Sequence, residues 1–369
     1  MHHHKVSFGK IAIWSMGGLG LLSIVLYQVF YQNQGIMQKW LHYIALSWGR
    51  SVSFLCGVVP FSVAELCWTG AIVAAIIWIV RFCILLYKRP THWKKESCFR
   101  LLSFLCVGLF IWGGYTGLWG IGYRSGAFYT EEIGLSSHPI SVEQLTQVTK
   151  LFAEKAGEYA LQVPRQKDGS LAISVKELFS QTDHLYDNIQ QEFPTLQGPV
   201  RRARPMFYGP IMSRMGFTGF YFPFTGEANV NIHSPLSLIP ATIAHELAHQ
   251  RGVVFEDEAN FTAIAACLSQ SDPVFLYSGY LMGYIHLSNA LLKADSSAWG
   301  NISDSLHPFV RKDLEDNNTF WEKYQSPITT AAEGIYEGFL QSHGENRGLQ
   351  SYGACVNLLV AYYGKDINA

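Results

Sequence analysis

His245-Glu246-Leu247-Ala248-His249 runs directly into Gln250-Arg251-Gly252, and Glu256-Asp257-Glu258-Ala259-Asn260 follows three residues later. On a helix, residues four apart share a face, so the two imidazoles stand one turn apart on the same side. Imidazoles so placed can grip one Zn²⁺ per chain, which leaves Glu246 beside the open coordination position as a general base. The flanks agree with a helix here. Pro240 suits a first turn, Ser237 is a candidate cap, and Ile243, Ala244, Leu247 and Ala248 supply an apolar face. Gly252 is a stop signal.

A second helical pattern starts at Glu256 and carries Phe261, Ile264, Ala265 and Leu268. A carboxylate at its start can turn back towards the metal. Glu256 and Glu258 point to different faces of that helix, so one of them is expected to bind. Glu256 is favoured, with Glu258 as the alternative; the other would be a supporting or solvated helix-start carboxylate.

The chain divides sharply in charge. Residues 1–124 hold 11 Lys and Arg against two acids, a net of +9, whereas residues 125–369 hold 16 against 26, a net of −10. The first part contains three apolar runs, Ile11–Tyr31, Leu66–Tyr87 and Leu101–Ile121. Each is about 20 residues, enough to cross about 30 Å of hydrocarbon. Lys88, Arg89, Lys94 and Lys95 crowd the loop between the second and third runs, while Lys39 and Arg50 are the only cations between the first and second. The positive-inside rule then places residues 88–100 and the N-terminus in the cytoplasm, and three crossings place residues 125–369 outside it. The expected location is the cytoplasmic membrane, with the lipid bilayer as a partner. Met37–Pro60, apolar and aromatic, reads as an interfacial helix or a packed connection.

The second part is large enough for one core and shows no repeat or linker. Ser141-Val142-Glu143-Gln144 and Ser174-Val175-Lys176-Glu177 read as capping boxes opening helices. Phe217–Phe224 and Ala228–Ile232 read as strands around Thr225-Gly226-Glu227, a hairpin. Helices are expected over 275–292, 309–324, 328–341 and 352–363. Asn229, Asn231 and His233 are candidate substrate-binding residues if this hairpin is the sheet edge that holds an extended peptide. Tyr352, before Gly353, is a candidate oxyanion donor. His286, His307 and His343 read as surface or core histidines, Glu333 and Glu337 as a solvated acidic face. Cys267 and Cys355 lie in apolar helical patterns and read as buried free thiols, with one disulfide between them as the alternative. The Arg201, Arg202, Arg204 cluster sits in a region of net −10, which argues against a nucleic-acid partner.

Gly219–Asn231, His245–Gly252, Glu256–Phe261, Tyr336–Leu340 and Ser351–Gly353 together resemble the bacterial family called domain of unknown function 3810. The resemblance covers nearly the whole chain. It implies three N-terminal spans followed by a zincin-like domain of the wider HExxH clan, α+β and mostly helical with a small sheet, and it carries no substrate with it.

The expected function is a membrane-anchored zinc metallopeptidase cutting peptide or protein substrates outside the cytoplasm, with Glu246 as base. The alternative is a non-catalytic zinc-binding sensor or scaffold. Retention of Glu246 favours the enzyme, because a closed structural site has no use for that carboxylate. An intramembrane protease is disfavoured, because the metal motif lies among Arg251, Glu256, Asp257 and Glu258, outside every apolar run.

Overall fold

The computed structural model describes residues 8–128, 140–198, 201–343 and 352–365. Three helices are long and apolar enough to cross a membrane: α1 (Phe8–Phe30), α4 (Val63–Lys88) and α5 (Trp93–Leu118). Between the first two lie α2 (Gln34–Trp40) and α3 (Leu46–Cys56), joined by a π turn. This connection packs against the rest of the chain on one side, which is one of the two expectations for Met37–Pro60. Met37, Leu41, Ala45 and Leu46 are buried, whereas Tyr43, Ile44, Trp48, Phe54, Leu55 and Val58 stay exposed.

Small residues let α1 and α5 meet backbone to backbone. A Cβ on Gly20 would lie 2.2 Å from the Leu109 carbonyl, and one on Gly113 would lie 2.1 Å from the Gly20 carbonyl. Such contacts hold helices together where lipid offers no hydrophobic drive for association. The third span ends at Leu118, short of the expected Ile121; Trp119 leaves helical geometry and a buried 3₁₀ turn covers Gly120–Arg124.

The remaining chain is mostly helical: α6 (Val142–Ala160), α7 (Ile239–Gln250), α8 (Glu256–Leu268), α9 (Pro273–Ala294), α10 (Ser296–Asp304), α11 (Pro308–Tyr324), α12 (Pro327–Ser342) and α13 (Tyr352–Tyr363). Ser141 and Gln144 form the reciprocal capping box that opens α6, and α10 is an addition to the expected helices. Phe152, Tyr186, Ile243, Leu247, Phe261, Tyr277 and Leu287 fill one core between them. Cys267 and Cys355 are buried there as free thiols.

The sheet has three strands, β1 (Arg204–Met206), β2 (Gly219–Phe222) and β3 (Glu227–Asn231), in the order β1-β3-β2. The hairpin forms as expected; its first strand is shorter because Pro223 and Phe224 belong to the turn, and its second keeps five residues but starts one earlier, at Glu227. β1 pairs parallel to β3, placing Pro205 opposite Val230.

This sheet caps α4. Glu227 accepts from the amides of Val63 (3.1 Å) and Ala64 (2.8 Å), and Ser62 Oγ donates to Asn229 Oδ1 at 2.7 Å. A carboxylate at a helix N-terminus satisfies orphan amides and opposes the helix dipole. A second core mixes the two parts of the chain: Tyr27, Met37, Leu41, Trp119 and Tyr123 pack with Tyr221, Val254 and Leu340. The expected boundary at residue 124 therefore falls within shared packing, not in a free linker.

Candidate metal centre

α7 starts at Ile239, with Pro240 in its first turn. Ser237 is not its cap: Leu238 occupies that position, and the Ala241 amide is taken up by Ser278 Oγ at 3.0 Å. At the other end Gly252 adopts φ +97°, open to glycine at little cost, and the chain reverses. Arg251 fixes this end from within. Its guanidinium lies 4.0 Å from the centre of the Tyr186 ring, and Nε donates to the Leu196 carbonyl at 3.1 Å. Burial pulls the Arg251 pKa down to about 10, still charged at neutrality.

The reversal delivers Glu256, the first residue of α8, to the two imidazoles. Glu256 Oε2 lies 3.2 Å from His245 Nε2, and Oε1 lies 3.7 Å from His249 Nε2. One donor atom from each of the three residues falls within 4.8 Å of the others. Donors on a tetrahedral zinc stand about 3.3 Å apart, so the cluster needs only a small contraction to hold one. Glu258, though buried, is not a member of this group, and Glu256 is the carboxylate brought to it.

The remaining atoms of the cluster fit a metal. His249 Nδ1 is 2.7 Å from the Val253 carbonyl, which fixes the ring with Nε2 towards Glu256. The Trp119 ring packs edge-on against His249 at 5.4 Å. Burial opposes charge on His249, but the Glu256 carboxylate outweighs it and raises the pKa to about 9. Burial likewise opposes charge on Glu256, and the neighbouring imidazoles hold it well below the usual carboxylate range. The three side chains thus partner one another electrostatically where a cation would serve all of them.

Glu246 points into the same space without joining the cluster. It is 3% exposed, and its Oε2 has no hydrogen-bond partner among the described residues. Burial raises its pKa to about 7, against the pull of His245 and His249. A carboxylate poised near neutrality is matched to proton transfer.

A cleft of about 520 Å³ opens over these groups. β2 forms one wall, with Phe217 and Thr218 before it; Tyr115 and Trp119, at the end of α5, form another. Glu333 and Tyr336 of α12, with Thr242, Asn260, Met282 and His286, complete the lining. Gly219 meets Glu246 so closely that a Cβ there would lie 2.5 Å from Oε1 and 2.7 Å from Cγ.

The substrate-binding expectation for Asn229, Asn231 and His233 needs correction. β3 is the central strand, hydrogen-bonded on both sides, and has no free edge. Asn229 is fully buried and bonds Ser62 and the Glu227 carbonyl; Asn231 bonds Ser213 and the Phe217 carbonyl. His233 contacts Ser213 and packs against Phe320 and Tyr324. These residues hold the sheet together, and the edge facing the cleft is β2. Tyr352 opens α13, and its side chain lies outside the described residues.

Among the cleft residues that carry no site signal in the motif, two bear on its chemistry. The Tyr336 hydroxyl donates to Glu256 Oε1 across 80 positions. Its only sequence signal is the Tyr336–Leu340 segment of the family resemblance. His286 lines the cleft with its pKa pushed down to about 4, chiefly by burial, and so stands neutral.

The model of the family described as Protein of unknown function (DUF3810) matches residues 42–360, and the chain belongs to that family. No curated protein and no solved structure matches it.

Proposed function

We propose that this chain is a membrane-anchored zinc metallopeptidase of the zincin type whose catalytic region lies outside the cytoplasm. The observation that carries the reading is one cleft holding three convergent metal donors, His245, His249 and Glu256, beside Glu246, a buried carboxylate with an unpartnered oxygen. Two imidazoles and one carboxylate are a catalytic rather than a structural zinc set.

Zinc held there supplies Lewis acidity, lowering the pKa of a water and polarising a peptide carbonyl. Glu246 takes a proton from the attacking water as its oxygen bonds to the carbonyl carbon, and gives a proton to the departing amine as the C–N bond breaks. Tyr336 holds Glu256 in place. The free edge of β2 would align an extended peptide by strand addition, in the role first assigned to β3.

Elemental mass spectrometry on the purified full chain tests the metal. The full chain is required because the second core joins its two parts. About one zinc per chain is expected in the wild type and none in His245→Ala. A folded wild-type chain that takes up no zinc when zinc is supplied would end this reading.

Gly219→Ala provides a sharper test. Its methyl group must displace Glu246 or β2, since it would also meet the Asn229 carbonyl at 2.8 Å. The variant is expected to keep its zinc and to lose at least about tenfold in kcat/KM, a change of about 1.4 kcal/mol. Unchanged hydrolysis would separate Glu246 from the chemistry.

A further inference from the structure

Several segments outside the three long helices reach below the ends of α4 and α5. Tyr208 bonds α4 twice, its amide to Glu65 and its hydroxyl to Thr69 at 2.5 Å. Phe222 packs on Trp68 at 6.1 Å. Phe224 lies against Gly114 so closely that a Cβ there would meet its ring at 2.7 Å. Phe339 of α12 and His343, the residue just after it, pack on Trp112 at 6.2 and 5.5 Å.

At 1.5 Å per residue, Trp68 and Thr69 lie about 7–9 Å inside the start of α4, and Gly114 and Trp112 about 6–9 Å inside the end of α5. α4 itself is about 39 Å long, against about 30 Å of hydrocarbon and 40–45 Å with headgroups. A helix of that length centred on the bilayer extends about 4–5 Å beyond the hydrocarbon at each end, so these contacts fall just inside the hydrocarbon boundary, next to the headgroups.

The segments at that level carry exposed apolar side chains. Phe207, next to Tyr208, is 76% exposed, and Ile211 and Met215 follow at four-residue spacing; Ile335, one turn from Phe339, is 77% exposed, with Ile328 seven residues before it. The two segments lie side by side, Thr329 Oγ1 donating to the Arg214 carbonyl and Phe217 packing on Tyr336. They are also the lips of the cleft, which Met215, Gly216, Phe217, Glu333 and Tyr336 line. Within 207–217 and 328–336 the charged residues are Arg214 and Glu333 alone.

We propose that both lips, 207–217 and 328–336, sit in the lipid leaflet that holds the Ser62 end of α4 and the Leu118 end of α5, and that the cleft takes its substrate from that surface, as a peptide segment adjoining a membrane anchor. The substrate class rests on the metallopeptidase reading; the lipid seating does not. Continuity with the long helices names the occupant of the apolar lips: they extend the same lipid-facing surface, and α3 adds Trp48, Phe54 and Leu55 to it.

The test uses the full chain in phosphatidylethanolamine–phosphatidylglycerol vesicles containing brominated acyl chains. Serine replaces Cys56, Cys67, Cys83 and Cys98, leaving the buried Cys106, Cys267 and Cys355. An environment-sensitive fluorophore is placed on single cysteines replacing Phe207, Ile335 or Leu161, the last an exposed apolar residue beside Leu306 and His307. Bromolipid should quench the first two and spare the third. A degenerate fluorogenic peptide is then supplied free or coupled to a phospholipid in the same vesicles. The coupled form should be cut about tenfold faster or more, by its higher effective concentration. Ile211→Glu with Ile335→Glu should bring that ratio back towards one.

Unquenched probes at 207 and 335 would overturn the seating. Equal cutting of both peptides, or a ratio indifferent to the double substitution, would overturn the substrate class while leaving the peptidase standing. Quenching with neither peptide cut would reject the peptidase and its substrate class together and keep the lips as a lipid-binding surface.

Discussion

Glu246→Gln is expected to keep about one zinc per chain and to lose peptide hydrolysis by about 10²–10⁴-fold, the range in which a positioned general base contributes. The amide matches the carboxylate in shape and cannot accept the proton. The substitution isolates chemistry from folding, because Oε2 has no partner whose bond would be lost. Burying a neutral amide in place of a carboxylate also removes a desolvation cost, so thermal stability should hold or rise. Metal content, thermal melting and cleavage of a fluorogenic peptide, measured on one preparation, separate the outcomes. A non-catalytic zinc scaffold would be indifferent to the change, and a Gln variant with wild-type hydrolysis would remove Glu246 from the mechanism.

The second large effect is on stability. Asp313 is 3% exposed and accepts from Arg165 Nη1 (3.2 Å) and Nη2 (2.8 Å) and from the Tyr277 hydroxyl. Arg165 also donates to the carbonyls of Ala160 and Gly169 and stacks on Phe309 at 4.4 Å. The group ties the end of α6 to α9 and α11. Asp313→Leu strands a buried guanidinium and should cost about 3–5 kcal/mol, whereas adding Arg165→Met should restore much of it, since an apolar pair of similar volume is often neutral. Melting in detergent should fall by about 10 °C for the single variant, with the double variant closer to wild type. A single variant that melts like the wild type would show that solvent reaches the pair.

Reading the chain as a string went furthest where the pattern is local. Each long apolar run became a helix of the expected kind, because about 20 apolar residues leave the backbone few other ways to satisfy its hydrogen bonds in lipid. His245 and His249 met because four-residue spacing fixes their common face. Divergence of Glu256 and Glu258 on a helix meant that one of them could join the imidazoles, while the preference for Glu256 rested on a resemblance to zinc-peptidase segments and left Glu258 open. The reading failed at β3: its place in the sheet depends on β1, a three-residue strand with proline at its centre and no alternation to reveal it. With β1 paired to it, β3 has no free edge, and Asn229 and Asn231 become internal ties.

The sequence by itself determined the helical spans, the hairpin, and the shared face of His245 and His249 with Glu246 beside it, each set by periodicity within a few turns of chain, and it left Glu256 and Glu258 as alternatives. The tertiary structure alone decided what surrounds them. Tyr336 reaches Glu256 across 80 residues, Trp119 packs on His249 across 130, and Glu227 caps α4 from 163 positions away. Such contacts leave no local mark, because they come from elements that must bury their apolar faces against one another. That burial brings the candidate metal centre to the end of α5.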